Sequence, residues 1–145
     1  MDFLRSLNIS GSGLTAQKLR MDVISQNIAN AEVTRTQSGG AYRRKTVVLS
    51  SIPGQTDFKD RLTKALEVKT NGVQVARLIE DPSPFKPVYD PGHPDANPEG
   101  YVMLPNVNKA QEMIDMLGAS RAYEANVTAF NATKTMILKA LEIGR

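Results

Sequence analysis

The residues whose types could do chemistry lie together in one short segment. Asp90, His93 and Asp95 could in principle hold a metal ion or act in acid–base catalysis. His93 is the only histidine of the chain, so a zinc site would need three carboxylates beside it, which is an uncommon ligand set. The surrounding sequence DPGHPDANP has the spacing of successive turns, in which Asp and Asn side chains bind their own backbone. We therefore interpret the cluster as a series of turns and predict no catalytic, cofactor-binding or metal-binding residue.

Other motifs of enzymes are missing from the sequence. The chain has no cysteine, which excludes a disulfide scaffold, a thiol nucleophile and a Cys-based zinc site. The stretch Gly11-Ser12-Gly13 lacks the preceding strand and the downstream glycine and lysine of a phosphate-binding loop. No nucleophile elbow is present. The sequence gives no positive support for an enzyme, and we predict that the protein is not one and uses no cofactor.

Composition and charge narrow the range of partners. The formal net charge is +3, both signs are mixed along the chain, and the one basic cluster, Arg43-Arg44-Lys45, is interpreted as the solvated start of a strand. Aromatic residues are few and tryptophan is absent, which argues against a base-stacking platform. No stretch approaches the roughly 20 apolar residues of a membrane span. We predict no nucleic-acid binding and no membrane insertion.

The clearest structural pattern in the sequence is a seven-residue apolar repeat at each end of the chain, and each repeat predicts a helix. In the C-terminal stretch, two apolar rows are offset by three residues: they consist of Met113, Val127 and Leu141, and of Met116, Tyr123, Phe130 and Ile137. Such rows predict a helix that packs lengthwise on another helix. We place it at 109–143, with Asn108 as N-cap, Gln111 completing a capping box and Gly144 as the stop. A helix of this length is roughly 50 Å long and needs a long partner.

The partner is predicted at the N-terminus. Its apolar residues recur at the same interval and are Leu7, Leu14, Met21 and Ile28, with Ile24 on a neighbouring row. Two interpretations of the paired stripes are an ordinary helical hairpin and a coiled coil whose outer faces pack on other subunits; the length of the C-terminal helix favours the second. The two helices are expected to face one another within one subunit or between neighbours. The predicted assembly interface consists of Leu7, Leu14, Met21, Ile24, Ile28, Met113, Met116, Tyr123, Val127, Phe130, Ile137 and Leu141.

Two glycines near the N-terminus allow two predictions for the start of the first helix. Either the helix begins at Ser12 as its N-cap, or it runs through Gly11 and Gly13 and uses the glycines for close approach to a neighbour.

The middle of the chain has the pattern of short strands. We predict a loop over 32–41, a strand over 42–51 and a nascent helix in a loop over 57–66. Asn71-Gly72 has the signature of a hairpin turn that opens a strand over 73–79. Seven of the eight prolines lie between Asp81 and Pro105, which indicates a stiff connection with short extended pieces at 86–89 and 100–104.

These elements predict an α+β fold, mainly α, in which long terminal helices pair as a coiled coil around a small β-rich middle. The predicted domains are a helical core formed by 1–35 and 105–145, and an outer domain over 36–104 that includes the Pro-rich connection.

Three stretches carry a resemblance to a known family. SGLTAQKLRMDVISQNIANAEVTRT (12–36) resembles the N-terminal signature of flagellar axial rod and hook proteins. VYDPGHPDANPEGYVMLPNVN (88–108) and EMIDMLGASRAYEANVTAFNATKTMILKALEIG (112–144) are similar to a short proximal rod subunit of that family, rather than to the larger distal rod and hook proteins. The segment 55–71 matches nothing in the family pattern and is interpreted as a variable insertion.

The resemblance implies a structural subunit of the bacterial flagellar basal-body rod, which serves motility. In such a family the subunit would be exported by the flagellar type III apparatus without a cleaved signal, and would polymerise in the periplasm through its terminal helices. The start MDFLRSLNIS does lack the apolar core and cleavage site of a secretory signal. The implied partners are further copies of itself, the rod proteins FlgB, FlgF and FlgG, and the basal-body protein FliE.

Two alternatives to this function stay open at the level of sequence. Within the family, the chain could be a different short axial rod subunit such as FlgB. Outside the family, its pI of about 9.3 leaves room for a helical nucleic-acid-binding protein; salt-dependent DNA binding would distinguish it.

Overall fold

The structure, a computed structural model, describes residues 3–37, 39–53 and 70–143. Its elements in chain order are α1 (Phe3–Ala29), β1 (Lys45–Pro53), β2 (Thr70–Glu80), β3 (Lys86–Tyr89), β4 (Tyr101–Leu104) and α2 (Lys109–Ile143). Two long terminal helices and a small set of strands between them confirm the predicted α+β fold. The predicted nascent helix over 57–66 and the stop at Gly144 lie outside the described residues. None of the helices in the described ranges is long and apolar enough to cross a membrane.

The C-terminal helix α2 begins where the sequence predicts and continues to Ile143, the last described residue. The Asn108 side-chain Oδ1 accepts hydrogen bonds from the backbone N–H of Ala110, at 3.1 Å, and of Gln111, at 3.5 Å, as an N-cap does. The Gln111 side chain does not return to Asn108 but donates to Asp115 one turn later, so the capping box is incomplete. Glu112 lies in the first turn, where a negative charge suits the helix dipole.

The N-terminal helix α1 runs through its glycines without a break, which decides between the two predicted starts. Gly13 provides a close approach, because a Cβ atom there would lie 3.0 Å from the Asn126 Oδ1 atom of α2. Gly11 has open space around it. Ser12 is not an N-cap: its hydroxyl donates to the Ile9 carbonyl, at 2.7 Å, and accepts from the Val73 N–H of β2, at 3.0 Å. The Ser12 side chain thus links α1 to β2 through a hydrogen bond.

The strands form two two-stranded sheets, β1 with β2 and β3 with β4. β3 and β4 are antiparallel, with Lys86 opposite Leu104 and Tyr89 opposite Tyr101, which confirms the extended pieces predicted in the Pro-rich connection. β1 begins at Lys45, later than predicted, because the Tyr42 N–H bonds the Val33 carbonyl instead of joining the ladder.

The Asn71-Gly72 pair is not the predicted hairpin turn. It lies inside β2, which already begins at Thr70. Gly72 is buried and has a φ of +125°, a backbone conformation that residues with a side chain rarely adopt. A Cβ atom at this position would overlap the Ser12 hydroxyl. Glycine is therefore needed here for close approach between β2 and α1, not for a reversal of the chain.

The described residues belong to two compact units, and both helices contribute to each. Of the described residues, the first unit comprises 3–18, 48–53, 70–77 and 120–143, and the second comprises 19–37, 39–47 and 78–119. The second unit has a buried apolar cluster of Ala31, Tyr42 and Val107, against which Val33 packs. The division into a helical core and an outer domain over 36–104 stays a prediction.

Replacing Gly72 with alanine should destabilise the protein by about 1–3 kcal/mol. The positive φ at this position becomes strained once a Cβ is present, and the Cβ also displaces the Ser12 side chain. Urea unfolding followed by circular dichroism measures the change. Gly11→Ala is the matched control: this glycine lies in a helix with open space around it, so the same substitution should stabilise by about 0.5–1 kcal/mol. Equal effects at the two glycines would contradict this account of Gly72.

Candidate functional site

The predicted interface residues of α1 are all at least partly shielded from solvent. Ile24 is buried, and Leu7, Leu14, Met21 and Ile28 are half-buried. In the second unit α1 runs antiparallel to α2, since Asn27 contacts Glu112 while the later Glu32 contacts the earlier Lys109. In the first unit Gly13 lies close to Asn126, since a Cβ atom on this glycine would lie 3.0 Å from the Asn126 Oδ1. Pairing of the two helices within one chain is therefore seen in each unit, while the role of these residues in assembly stays a prediction.

The predicted interface residues of α2 fall into two groups. Met116, Tyr123, Val127, Phe130 and Ile137 are half-buried, whereas Met113 and Leu141 are exposed, at 58% and 66%. The structure buries a different second row, four residues before the Met116 row, made of Glu112, Ala119 and Thr133, with Asn126 half-buried on the same line. Sequence reasoning missed this row because its members are small or polar. Their spacing of seven residues was the available signal.

The centre of the second unit is a buried asparagine on α1. The Asn27 side chain is 1% exposed. Its Nδ2 donates to the Lys45 carbonyl at 2.8 Å and to Glu112 Oε2 at 2.9 Å, while its Oδ1 accepts from the Lys45 N–H and the Tyr42 hydroxyl, both at 3.0 Å. A carboxamide has two donor hydrogens and two acceptor lone pairs, so every one of them is used. Asn27 thereby joins α1 to the start of β1 and to the first turn of α2.

An ion pair between the buried Glu112 and the partly exposed Arg44 completes this arrangement. The Glu112 side chain is 1% exposed, and its Oε1 accepts from Arg44 Nε at 2.6 Å. The Arg44 guanidinium also donates to Thr46 Oγ1 at 3.1 Å and lies 3.6 Å from Asp115. A buried carboxylate needs such a cation because removal from water is costly for an unpaired charge. We call Asn27, Arg44 and Glu112 the polar cluster.

Asn106 and Arg43 extend the polar cluster along the chain. The Asn106 Oδ1 accepts from the Arg44 N–H at 2.8 Å, and its Nδ2 donates to the carbonyls of Asp81 and Ser83. Arg43 donates to the same two carbonyls and lies over the Phe85 ring, 4.5 Å from its centroid. The interpretation of Arg43-Arg44-Lys45 as a solvated strand start is wrong for the two arginines, which are engaged by other segments of the chain.

The segment from Asp90 to Asp95 forms turns, as predicted. The Asp90 carboxylate accepts from the Gly92 N–H at 3.2 Å, and the Asp95 N–H donates to His93 Nδ1 at 3.1 Å. Asp95 in turn accepts from the Thr34 hydroxyl at 2.8 Å. Within the described part of the chain, no group of three or more His, Asp or Glu side chains is placed to hold a metal ion.

Three ionisable groups of the second unit have perturbed pKa values. Hydrogen bonds from the Ser83 hydroxyl and N–H lower the pKa of Asp81, with smaller help from Arg44. A hydrogen bond from Lys109 lowers the pKa of Glu32. Burial raises the pKa of Tyr42, and the charge of Glu112 adds to this effect.

Comparison with known proteins defines the class of protein to which this architecture belongs. Residues 7–36, which cover most of α1, match the family model described as flagella basal body rod protein. Residues 99–143, which cover β4 and α2, match the family model for the C-terminal part of the flagellar basal body rod FlgEFG proteins. Both matches fall on the terminal regions that the sequence singles out, and both indicate a flagellar rod protein.

Full-length relatives make the assignment specific. The chain is 49% identical to the flagellar basal-body rod protein FlgC of Bacillus subtilis (strain 168), over all of both chains. It is 45% identical to FlgC of Borreliella burgdorferi, over 99% of this chain and 98% of the relative, and 41% identical to FlgC of Escherichia coli O157:H7, over all of both chains. The chain belongs to the FlgC family of flagellar basal-body rod proteins, and the predicted resemblance is confirmed. It is a structural subunit of the basal-body rod.

Substituting Asn27 with aspartate should destabilise the protein by about 3 kcal/mol or more, because the change removes two donors and places a second carboxylate beside Glu112. Urea unfolding at pH 7 measures the loss. Asn30→Asp introduces the same change just after the end of α1, where the amide donates to the Gln26 carbonyl, and should cost less than about 1 kcal/mol. Similar losses at the two positions would show that the contacts of Asn27 are unimportant.

Stability should fall with acidification through the lowered pKa of Asp81. Its ordinary value is 3.8, and below this the unfolded chain binds more protons than the folded chain. The contribution of Asp81 is therefore complete above pH 3.8 and lost as the pH falls through the folded value. Ser83→Ala removes the largest cause of the shift and should flatten the fall in urea midpoint between about pH 5 and pH 3. Ser51→Ala, at an exposed position of β1, should leave the fall unchanged; an unaltered slope in Ser83→Ala would contradict the assignment.

Proposed function

We propose that this rod subunit assembles through the outer surfaces of its terminal helices. Its partners would be further copies of the chain, the rod proteins FlgB, FlgF and FlgG, and FliE. The site of assembly would be the periplasmic part of the basal body, reached through the flagellar type III apparatus without a cleaved signal. Membership of the FlgC family supports association with rod components in general. The observation that carries the proposal of helix-mediated assembly is the apolar surface that α2 leaves uncovered.

In the second unit, this surface lies on the side of α2 that is turned away from Asn27. Met113, Ile114 and Leu117 are 58%, 64% and 53% exposed. Consecutive turns of a helix bring these three side chains next to one another, because positions three and four apart are neighbours on a helix surface. Large contiguous apolar patches are rare on the exposed surface of a monomer, and such a patch marks an interaction site.

In the first unit, the last turns of α2 are also uncovered. Met136, Leu138, Leu141 and Ile143 are all more than half exposed. Complete burial of one such side chain contributes about 1.5–3 kcal/mol, so covering even a few of them would supply much of the free energy of association. Isolated helical segments are marginal in water, and most of their stability comes from packing an apolar face. We therefore infer that subunit contacts and ordering of the helix end are coupled.

The family supports a structural role, and we propose that the chain has no catalytic activity of its own. The nucleic-acid alternative is not favoured, since Arg43 and Arg44 are engaged with Asp81, Phe85 and Glu112 of the same chain. Strong binding to a phosphate backbone depends on basic side chains that are available to neutralise it.

Replacing Ile114 with aspartate tests the assembly surface. Because this side chain is 64% exposed, the subunit should fold with a free energy of unfolding within about 1 kcal/mol of the original. Rod assembly should nevertheless fail, since a charge would be buried at the subunit contact without a partner. Swimming in soft agar and recovery of the subunit in isolated basal bodies measure the result.

The matched control is Asn131→Asp, which adds the same charge at an exposed polar position of α2. We expect this variant to assemble and to support swimming. Normal swimming of the strain with Ile114→Asp would show that this surface is not an assembly contact. Loss of swimming in both strains would indicate an effect of charge alone.

A further inference from the structure

The apolar rows of α1 and α2 do not by themselves define one way of pairing. In α1 the large apolar side chains recur at Leu7, Leu14 and Met21, and in α2 they recur at Met116, Tyr123 and Phe130, always seven residues apart. Sliding one helix along the other by seven residues would again place a large apolar side chain opposite each row. Buried apolar area would change little in such a slip, because the repeat is the same before and after it. Some feature that does not repeat must distinguish the native register.

The polar cluster is such a feature. Asn27 and Glu112 are both 1% exposed and contact one another across the helix pair. Seven residues after Glu112 the sequence has Ala119, which offers no hydrogen-bonding side chain. A slip that brings Ala119 opposite Asn27 would separate the Asn27 amide from its acceptor and the Glu112 carboxylate from its donor.

We propose that Asn27, Arg44 and Glu112 fix the register in which α1 and α2 pair within one chain. This goes beyond the proposed assembly role, because it concerns the pairing inside a subunit and holds whatever that subunit contacts. Asn27 acts as the positioning residue. Its carboxamide can bond the Lys45 backbone, the Tyr42 hydroxyl and the Glu112 carboxylate in one arrangement only, because that arrangement uses all of its donors and acceptors.

Arg44 extends the same constraint to the β-strands. Its guanidinium holds the Glu112 carboxylate, while its N–H and carbonyl bond Asn106 and the Asp81 N–H. A slipped α2 would leave this cation without its buried partner. Ion pairs of buried charges can often be replaced by apolar side chains without loss of stability, so the role of the Arg44–Glu112 pair is choice of register rather than added stability. A single buried polar residue selects register in coiled coils by the same physics.

Disulfide trapping can read out the register, since the chain has no cysteine of its own. Gly13 and Asn126 belong to the same two helices as Asn27 and Glu112, and a Cβ on Gly13 would lie 3.2 Å from Asn126 Cγ. The native register is therefore reported by Gly13→Cys with Asn126→Cys. The slipped register is reported by Gly13→Cys with Thr133→Cys, seven residues further along α2. Asn126→Ala is added to the second pair so that the new cysteine does not clash in the native register.

The test compares both cysteine pairs in the full chain, with and without the polar cluster. In the apolar variant the cluster is replaced by Asn27→Leu, Arg44→Met and Glu112→Leu. Cross-linked monomer is measured on non-reducing gels after equilibration in a glutathione redox buffer. We expect the ratio of native to slipped cross-link to fall by about tenfold or more in the apolar variant. Glu112→Gln keeps the shape of the side chain but only one of its two acceptor oxygens, so the ratio should fall less than in the apolar variant.

A control carries equivalent changes away from the cluster, Asn30→Leu, Arg121→Met and Glu124→Leu, and should keep the original ratio. The proposal is overturned if the apolar variant forms the native cross-link alone, because the register would then be set elsewhere. It is also overturned if the apolar variant loses its helical circular dichroism, since the cluster would then be needed for folding itself. If the slipped cross-link formed in the control to the same extent as in the apolar variant, any loss of polar side chains would have this effect.

Discussion

The constraint on which the second unit depends is the burial of one carboxylate, that of Glu112. A carboxylate that is 1% exposed has lost its hydration and must find a cation and hydrogen-bond donors within the protein. Arg44 supplies the cation and Asn27 supplies a donor. Because these three residues come from the first turn of α2, the chain just before β1 and the last turn of α1, satisfying one charge brings three separate segments together.

The remaining contacts of the second unit surround this point. Asn106 and Arg43 bind the carbonyls at the end of β2, and Lys109 pairs with Glu32 beyond the end of α1. Exposed ion pairs such as the last contribute little stability, whereas the fully satisfied carboxamide of Asn27 would be costly to disrupt. The unit therefore has a specific polar centre, in addition to the apolar contacts of Ala31, Tyr42 and Val107.

This organisation suits a structural subunit of the flagellar rod. The helix faces that pair within the chain contain small and polar residues at Gly13, Asn126 and Glu112, which fit one partner closely. The opposite side of α2 instead carries large apolar side chains, including Ile114 and Leu117, that no contact within the described residues covers completely. Internal pairing and external assembly thus use different sides of the same helix, and a change on one side need not disturb the other.

The sequence by itself determined the family, the α+β class and the start of α2, since capping, helix propensity and seven-residue repeats are local properties that a linear pattern records. It did not predict the row at Ala119 and Thr133, because small and polar residues give no apolar signal. It also misplaced Asn71-Gly72 as a turn and left Arg44 in solvent. Those features were decided only by the tertiary structure: Asn27 and Glu112 are 85 residues apart, and burial of an ion pair depends on which distant segments meet, which no local spacing encodes.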